Sequence, residues 1–325
     1  MTVLVTGAAG FIGYHVSEAL LARGETVVGL DIVSPYYDVR LKEARVERLR
    51  KHKGFTFVRA DIAEHEKLAT TLAPFGPIRR VVHLAAQAGV RHSLKHPFEY
   101  VTANLMGHVS ILEFCRNTEG FEHLVYASSS SVYGGNQKLP FSVEDRVDTP
   151  VSLYAATKRA DELMSQSYAH LYGIPQTGLR FFTVYGPWGR PDMAIFLFTK
   201  AIAAGEPVRV FNGGDMSRDF TYVDDIVQGV LAVLAKPPAR THGAPHRVYN
   251  LGNNQAEPLP KLIDLIEGAL GKKAKRVSEP MQPGDVKATY ADIEPARRDF
   301  GFEPRTRIEV GVPRFVTWYR EYHGA

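Results

Sequence analysis

The chain contains a single cysteine, Cys115, in 325 residues. No internal disulfide can form, and a reducing compartment fits. It also lacks any apolar run near the roughly 20 residues of a bilayer-spanning helix, which excludes an ordinary membrane span. There is no internal repeat, no low-complexity tract and no His/Cys cluster at metal-ligand spacing; the 12 histidines are scattered, and no metal is expected. An excess of one charge is missing too, since 39 Lys and Arg against 35 Asp and Glu leave +4. That balance suits an anionic ligand but falls short of the clustered positive face of a nucleic-acid binder. The densest basic run, GKKAKR (Gly271 to Arg276), reads as a solvated loop following a helix. The opening MTVLVTGAAGFIG enters a strand without a charged leader region, so no secretory signal is expected and the cytoplasm is the default location.

What is present is the material of an ordinary globular protein, 45% hydrophobic and 23% charged, enough for one large or two ordinary domains. The first half alternates strand-like and helix-like stretches. TVLVTG leads into FIGYHVSEALLARG, with Gly24 just past the helix end, and TVVGLD, FTFVRAD, RRVVHLAA and EHLVYASS follow, separated by helical patterns. One of these is a helix around NLMGHVSILEFCR. The runs are rich in Val and Leu without strict alternation, as strands buried on both faces of a parallel sheet should be. A doubly wound α/β sheet is therefore predicted, its nucleotide-binding domain spanning 1–179. After GIPQTGLRFF, prolines 187, 191 and 207 punctuate irregular stretches. RVYNLG reads as one more sheet strand, so the chain returns to the first domain at about 220–252. Segments 180–219 and 253–325, with helices near PLPKLIDLIEGALG and VGVPRFVTWYREY, are left for a smaller mixed substrate domain over the carboxyl edge of the sheet, where ligands of such folds bind.

Gly7, Gly10 and Gly13 form G-A-A-G-F-I-G between the first strand and the first helix. Glycines there permit a tight turn and let a pyrophosphate approach the backbone N–H groups of a helix start, which includes Phe11 and Ile12. The spacing is GxxGxxG rather than GxGxxG, so position carries the argument: the second strand ends in Asp31, placed to accept both ribose hydroxyls of an adenosine and to repel a 2′-phosphate. NAD is the expected cofactor. Asp61 and Ile62 at the end of the third strand, and Leu84, Ala85 and Ala86 at the end of the fourth, are further candidates for its contact surface.

Tyr154-Ala-Ala-Thr-Lys158 lies in a helical stretch starting near Ser152 and closing at Gly173. Residues i and i+4 share a helix face, so phenol and ammonium point the same way. A free phenol has a pKa near about 10, and a neighbouring cation favours its phenolate. The pair is thus a candidate general base.

Over nearly its whole length the chain resembles the extended short-chain dehydrogenase/reductase superfamily, on TGAAGFIG, the YxxxK pair and RDFTYVDD. Within it, SPYYDVRL, HLAAQAGVRHS, RFFTVYGPWGRPDM and PMQPGDV resemble the nucleotide-sugar 4-epimerases acting on UDP-glucuronate. The resemblance implies an enzyme that uses bound NAD and a UDP-sugar, without a nucleic-acid or membrane partner, as a homodimer through helices at about 104–116 and 152–172. It puts the proton-relaying hydroxyl on Ser129 and the nicotinamide ribose on Lys158, and it places Asn104 near the relay and cofactor. It points Arg190 and Arg218 toward the substrate, Arg218 to the diphosphate. Thr183, Ser130, Arg91 and Asp285 are further substrate candidates, Thr183 and Arg91 for the sugar carboxylate. In related dehydratases the two positions before Val132-Tyr133-Gly134 carry Asp-Glu, and in related decarboxylases a glutamate sits there. Here they are Ser130 and Ser131, so the serine run keeps a relay hydroxyl and omits the acids of elimination. A neutral-sugar epimerase, a decarboxylase and an NAD-sensing protein without turnover remain as alternatives.

Overall fold

The computed structural model describes residues 1–239, 243–281 and 286–324. Its first half runs β1 (Thr2–Thr6), α1 (Phe11–Ala22), β2 (Thr26–Asp31), α2 (Val39–Arg50), β3 (Phe55–Arg59), α3 (His65–Leu72), β4 (Arg80–His83), α4 (Val90–Ser93), α5 (Pro97–Tyr100), α6 (Gly107–Arg116), β5 (His123–Ser129), α7 (Leu153–Tyr172) and β6 (Gln176–Phe181). The second half adds β7 (Thr183–Tyr185), α8 (Ala194–Ala204), β8 (Pro207–Phe211), β9 (Ser217–Arg218), β10 (Phe220–Tyr222), α9 (Val223–Leu234), β11 (His246–Leu251), β12 (Glu257–Pro258), α10 (Leu259–Leu270), β13 (Lys275–Glu279), α11 (Glu294–Phe300) and α12 (Ile308–His323).

Seven of the strands form one parallel sheet in the order β11-β6-β5-β4-β1-β2-β3. The apolar runs that lacked alternation are the central strands: Val3, Leu4, Val5, Val81, Val82, Leu124 and Val125 are all fully buried. Strand order reverses between β1 and β4, and there the βα loops part to leave a crevice at the carboxyl edge. A second core gathers α8, α10 and α12, with Phe196, Ile263, Phe315 and Trp318 among its buried side chains.

Two local expectations are corrected. The helix around NLMGHVSILEFCR is not uniform, because Val101–Met106 form a π-helical turn before α6. The GKKAKR run is not simply a loop: Gly271 closes α10 in a left-handed conformation, and Lys275 and Arg276 begin β13, paired with β8. The run is also partly neutralised, since Lys273 and Arg276 both bond the Glu267 carboxylate.

Four buried histidines and the half-buried His15 are expected to make the fold acid-labile. Burial, with Lys158 adding to it, drives His83 down to about 3; burial takes His15, His123 and His246 down to about 4 and His108 well below its usual value. Unfolded, each binds a proton below about pH 6.5, whereas folded it does not, so stability is lost as pH falls from there toward 4. Asp161 and Asp219, pushed up to about 6 by burial, work the other way below that value, but they are outnumbered. The melting temperature is expected to drop steadily from neutral pH to about pH 5. A flat profile would show that these imidazoles ionise without unfolding.

Candidate functional site

A cleft of about 820 Å³ opens at the reversal point, and three loops of the sheet edge build its floor. The turn after β1 is possible only with glycine. Gly7 has φ +73°, and a Cβ on Gly13 would stand 2.0 Å from the Gly7 carbonyl oxygen. The first turn of α1 can therefore pack against β1, and Gly10 caps it without a side chain. Among the described residues the N–H groups of Phe11 and Ile12 find no acceptor, and both residues line the cleft. Such a helix start favours a bound anion. At the tip of β2 each Asp31 oxygen accepts one backbone N–H, Oδ2 from Ala9 at 3.0 Å and Oδ1 from Val33 at 2.7 Å. The carboxylate is thereby fixed, with lone pairs left for a diol. Phosphate-sized space against orphan N–H groups, with a rigid acceptor one strand away, fits a dinucleotide.

The opposite wall carries the chemistry. Ser152 Oγ accepts from Ala155 N at 3.1 Å and caps α7, so Tyr154 lies in the first helical turn with Lys158 one turn on. Both line the cleft, as does Ser129 at the end of β5. The Lys158 ammonium donates to the Ala127 carbonyl at 3.0 Å and to Asp161 Oδ2 at 3.1 Å. Burial pushes the Asp161 carboxyl up to about 6 against the pull of Lys158. The Ser129 hydroxyl accepts from Ser131 N at 3.2 Å, which turns the chain out of β5 into a 3₁₀ turn over Ser130–Tyr133. Among the described residues the Tyr154 hydroxyl has no hydrogen-bond partner.

Ser128 belongs to a different arrangement. Its hydroxyl donates to Glu162 Oε1 at 2.6 Å, and the same carboxylate takes the Arg180 fork at 2.8 and 2.9 Å.

Of the other residues singled out in the sequence, Gly7, Gly10, Gly13, Asp61, Ile62, Leu84, Ala85, Ala86 and Arg190 also line the cleft. Arg190 does so while bonded through two nitrogens to Asp192. Asn104 does not reach the wall, because its buried amide is taken up by the Gln87 backbone and by Thr157 Oγ1, which ties the loop after β4 to α7. Arg91, Ser130, Thr183 and Arg218 are likewise absent from the lining. Arg91 stacks over Phe211 at 4.6 Å. Arg218 donates to the Ser217 and Lys287 carbonyls. Thr183 sits in β7 between the lining residues Phe182 and Val184, its N–H held by the Asp219 carbonyl at 3.0 Å. Asp285 lies outside the described residues.

Several contributors were not foreseen. Arg45, on a helix that reads as charged and solvent-facing, is fully buried and donates to the Ala9 carbonyl, the Tyr37 hydroxyl and the Trp188 carbonyl. It locks the glycine turn to the second half of the chain. Tyr36 lines the cleft and donates to Asp192, and Lys42 is buried beside Ser34. SPYYDVRL covers most of this wall, although no spacing rule marks it. No spacing in the sequence marks His92, His96 and Glu99, yet their ligand atoms lie within 4.8 Å of one another.

Comparison with known proteins follows this geometry. The model of the NAD dependent epimerase/dehydratase family matches residues 3–252. The chain is 48% identical to UDP-glucuronate 4-epimerase 1 of Arabidopsis thaliana, over all of this chain and 78% of that protein. The crystal structure of a UDP-glucuronic acid 4-epimerase from Bacillus cereus, in complex with UDP-glucuronic acid and NAD, is 34% identical with a TM-score of 0.91, covering 99% of this chain and all of that one. A UDP-glucose 4-epimerase from Thermotoga maritima, with UDP-glucose, is 30% identical with a TM-score of 0.87, covering 99% and 100%. With a glycine turn, Asp31 and a Tyr154–Lys158 pair facing one cleft, the chain belongs to the NAD-dependent epimerase/dehydratase family.

Proposed function

We propose that the protein is a UDP-glucuronate 4-epimerase, interconverting UDP-glucuronate and UDP-galacturonate through a transient 4-keto sugar. The observation that carries the reading is the convergence of Ser129, Tyr154 and Lys158 on the cleft that also holds the glycine turn and Asp31. Bound NAD supplies the acceptor and donor for the C4 hydride. The protein's own residues manage the proton. Ser129 hands the O4 proton to the Tyr154 phenolate, Lys158 holds the phenolate charge, and the same proton returns when the alcohol is re-formed on the other face. Phe11 and Ile12 N–H groups take the pyrophosphate, and Asp31 the adenosine ribose.

The 48% relative acts by name on UDP-glucuronate. The solved UDP-glucuronic acid and UDP-glucose enzymes separate only slightly, at 34% against 30% identity and TM-scores of 0.91 against 0.87. Ser130 and Ser131 in place of acids support epimerisation over elimination. Oxidation at C4 makes a β-keto acid, which loses CO₂ when its carboxylate aligns with the carbonyl. Thr183, Ser130 and the guanidinium of Arg91 or Arg190 are our candidates for holding the carboxylate out of alignment, with Arg218 and Asp285 serving the rest of the nucleotide. Thr183→Ala should therefore raise the ratio of UDP-pentose to UDP-galacturonate. An unchanged ratio would remove Thr183 from the anchor set.

We further infer a cytoplasmic homodimer across α6 and α7, which leave Leu163, Leu171 and Tyr172 exposed, supplying a galacturonate donor for polysaccharide synthesis. The test is turnover by protein purified without added cofactor, across a panel of UDP-sugars followed by NMR. Bound NAD(H) and preference for UDP-glucuronate are expected. Nucleotide-free protein stimulated by NADP⁺, or faster turnover of a neutral sugar, would overturn the reading.

A further inference from the structure

We propose that His92, His96 and Glu99 form a binding site for a divalent transition-metal ion of the zinc class at the mouth of the cleft. His92 lies in α4, His96 immediately precedes α5, and Glu99 lies within α5. The two imidazoles stack at 4.2 Å with planes 13° apart, so their edges face the same carboxylate. Glu99 meets both rings, through Oε2 to His92 Nε2 at 2.8 Å and through Oε1 to His96 Nδ1 at 3.2 Å. Ligands of a tetrahedral zinc with bonds of 2.0–2.1 Å stand about 3.3 Å apart. The contacts to Glu99 are already close to that edge, and all three donor atoms lie within 4.8 Å of one another.

Each ring would carry its proton on the outer nitrogen, Nδ1 of His92 and Nε2 of His96, and because imidazole lone pairs lie in the ring planes, the stacked rings must swing apart about their side-chain bonds to direct both onto one ion. No net proton leaves. Two nitrogens and a carboxylate suit Zn²⁺, Ni²⁺ or Cu²⁺ and disfavour Mg²⁺, which prefers an all-oxygen octahedron. Three protein groups leave a coordination position for water or a ligand.

Access and rigidity support the site. The His96 and Glu99 side chains are 48% and 51% exposed, so an ion can enter from solvent. His92 is steadied from within by the Tyr36 ring at 4.7 Å and Tyr100 at 6.0 Å. Because His92 and Glu99 also line the cleft, the ion would fasten α4 to α5 at its rim. None of the three has a role in the proton relay proposed above, so the site stands or falls independently of that reading.

Tag-free full-length protein should be titrated with ZnCl₂ in a calorimeter, with MgCl₂ as the control and CoCl₂ followed by visible absorption. The expected result is one saturable equivalent of Zn²⁺ with micromolar affinity, no Mg²⁺ binding and an intense tetrahedral Co²⁺ band. His96→Ala and Glu99→Gln, each checked for a wild-type melting temperature without metal, should each weaken Zn²⁺ binding at least about tenfold. No saturable Zn²⁺ binding, or wild-type affinity in either variant, would overturn the site.

Discussion

Replacing Tyr154 by phenylalanine is expected to remove nearly all turnover and to leave UDP-sugar binding within a few-fold of wild type. The ring keeps its packing, edge-on to Tyr100 at 6.1 Å, so the change deletes only the hydroxyl. In the proposed mechanism that hydroxyl carries the proton in the transition state, and losing a positioned general base costs about 10²–10⁴ in rate. An interaction made only in the transition state lowers kcat while leaving substrate affinity nearly intact. Single-turnover kinetics alongside calorimetric binding separate the two quantities. Retention of more than about a tenth of the rate would mean that another group accepts the proton.

The second large effect is on folding. Glu162, at the back of the site on α7, accepts from Ser128, Arg180 and Arg159. Burial opposes its ionised form, yet the Arg180 fork outweighs burial and holds the carboxyl below its usual range. Glu162→Ala leaves the Arg180 guanidinium, only 3% exposed, without its counter-ion. Breaking a buried pair from one side costs about 3–5 kcal/mol, and denaturant unfolding should show a loss of that size. Removing both charges together, as Glu162→Leu with Arg180→Leu, should recover much of it, because the penalty lies in the orphaned charge. If the double variant is no more stable than the single one, packing rather than charge is what Glu162 supplies.

The parts of the site legible in the sequence are those whose chemistry is set by short spacing. Gly7, Gly10 and Gly13 bracket one βα turn, Asp31 ends the next strand, and Tyr154 and Lys158 are one helical turn apart. Local geometry alone brings each set to the sheet edge. What stayed hidden depends on long-range contacts. Arg45 reaches Trp188, 143 positions away; its place four residues from both Leu41 and Leu49 sets it on the buried face of its helix, but no local pattern names its partner. Ser128 reads like its serine neighbours, yet its hydroxyl is taken up by Glu162. Asn104 was placed near the relay by resemblance, and only the fold shows it taken up by Gln87 and Thr157. The His92–His96–Glu99 grouping needed the path of two short helices, since histidines at that spacing carry no chemistry on their own.

The most direct test of the account is product analysis with UDP-glucuronate labelled at C6, followed by NMR of the sugar and trapping of released gas. The account predicts label retained in UDP-galacturonate at equilibrium with UDP-glucuronate, without added cofactor and with little or no labelled CO₂. Labelled CO₂ and a UDP-pentose as the main products would contradict it and make the chain a decarboxylase, whatever Ser130 and Ser131 suggest.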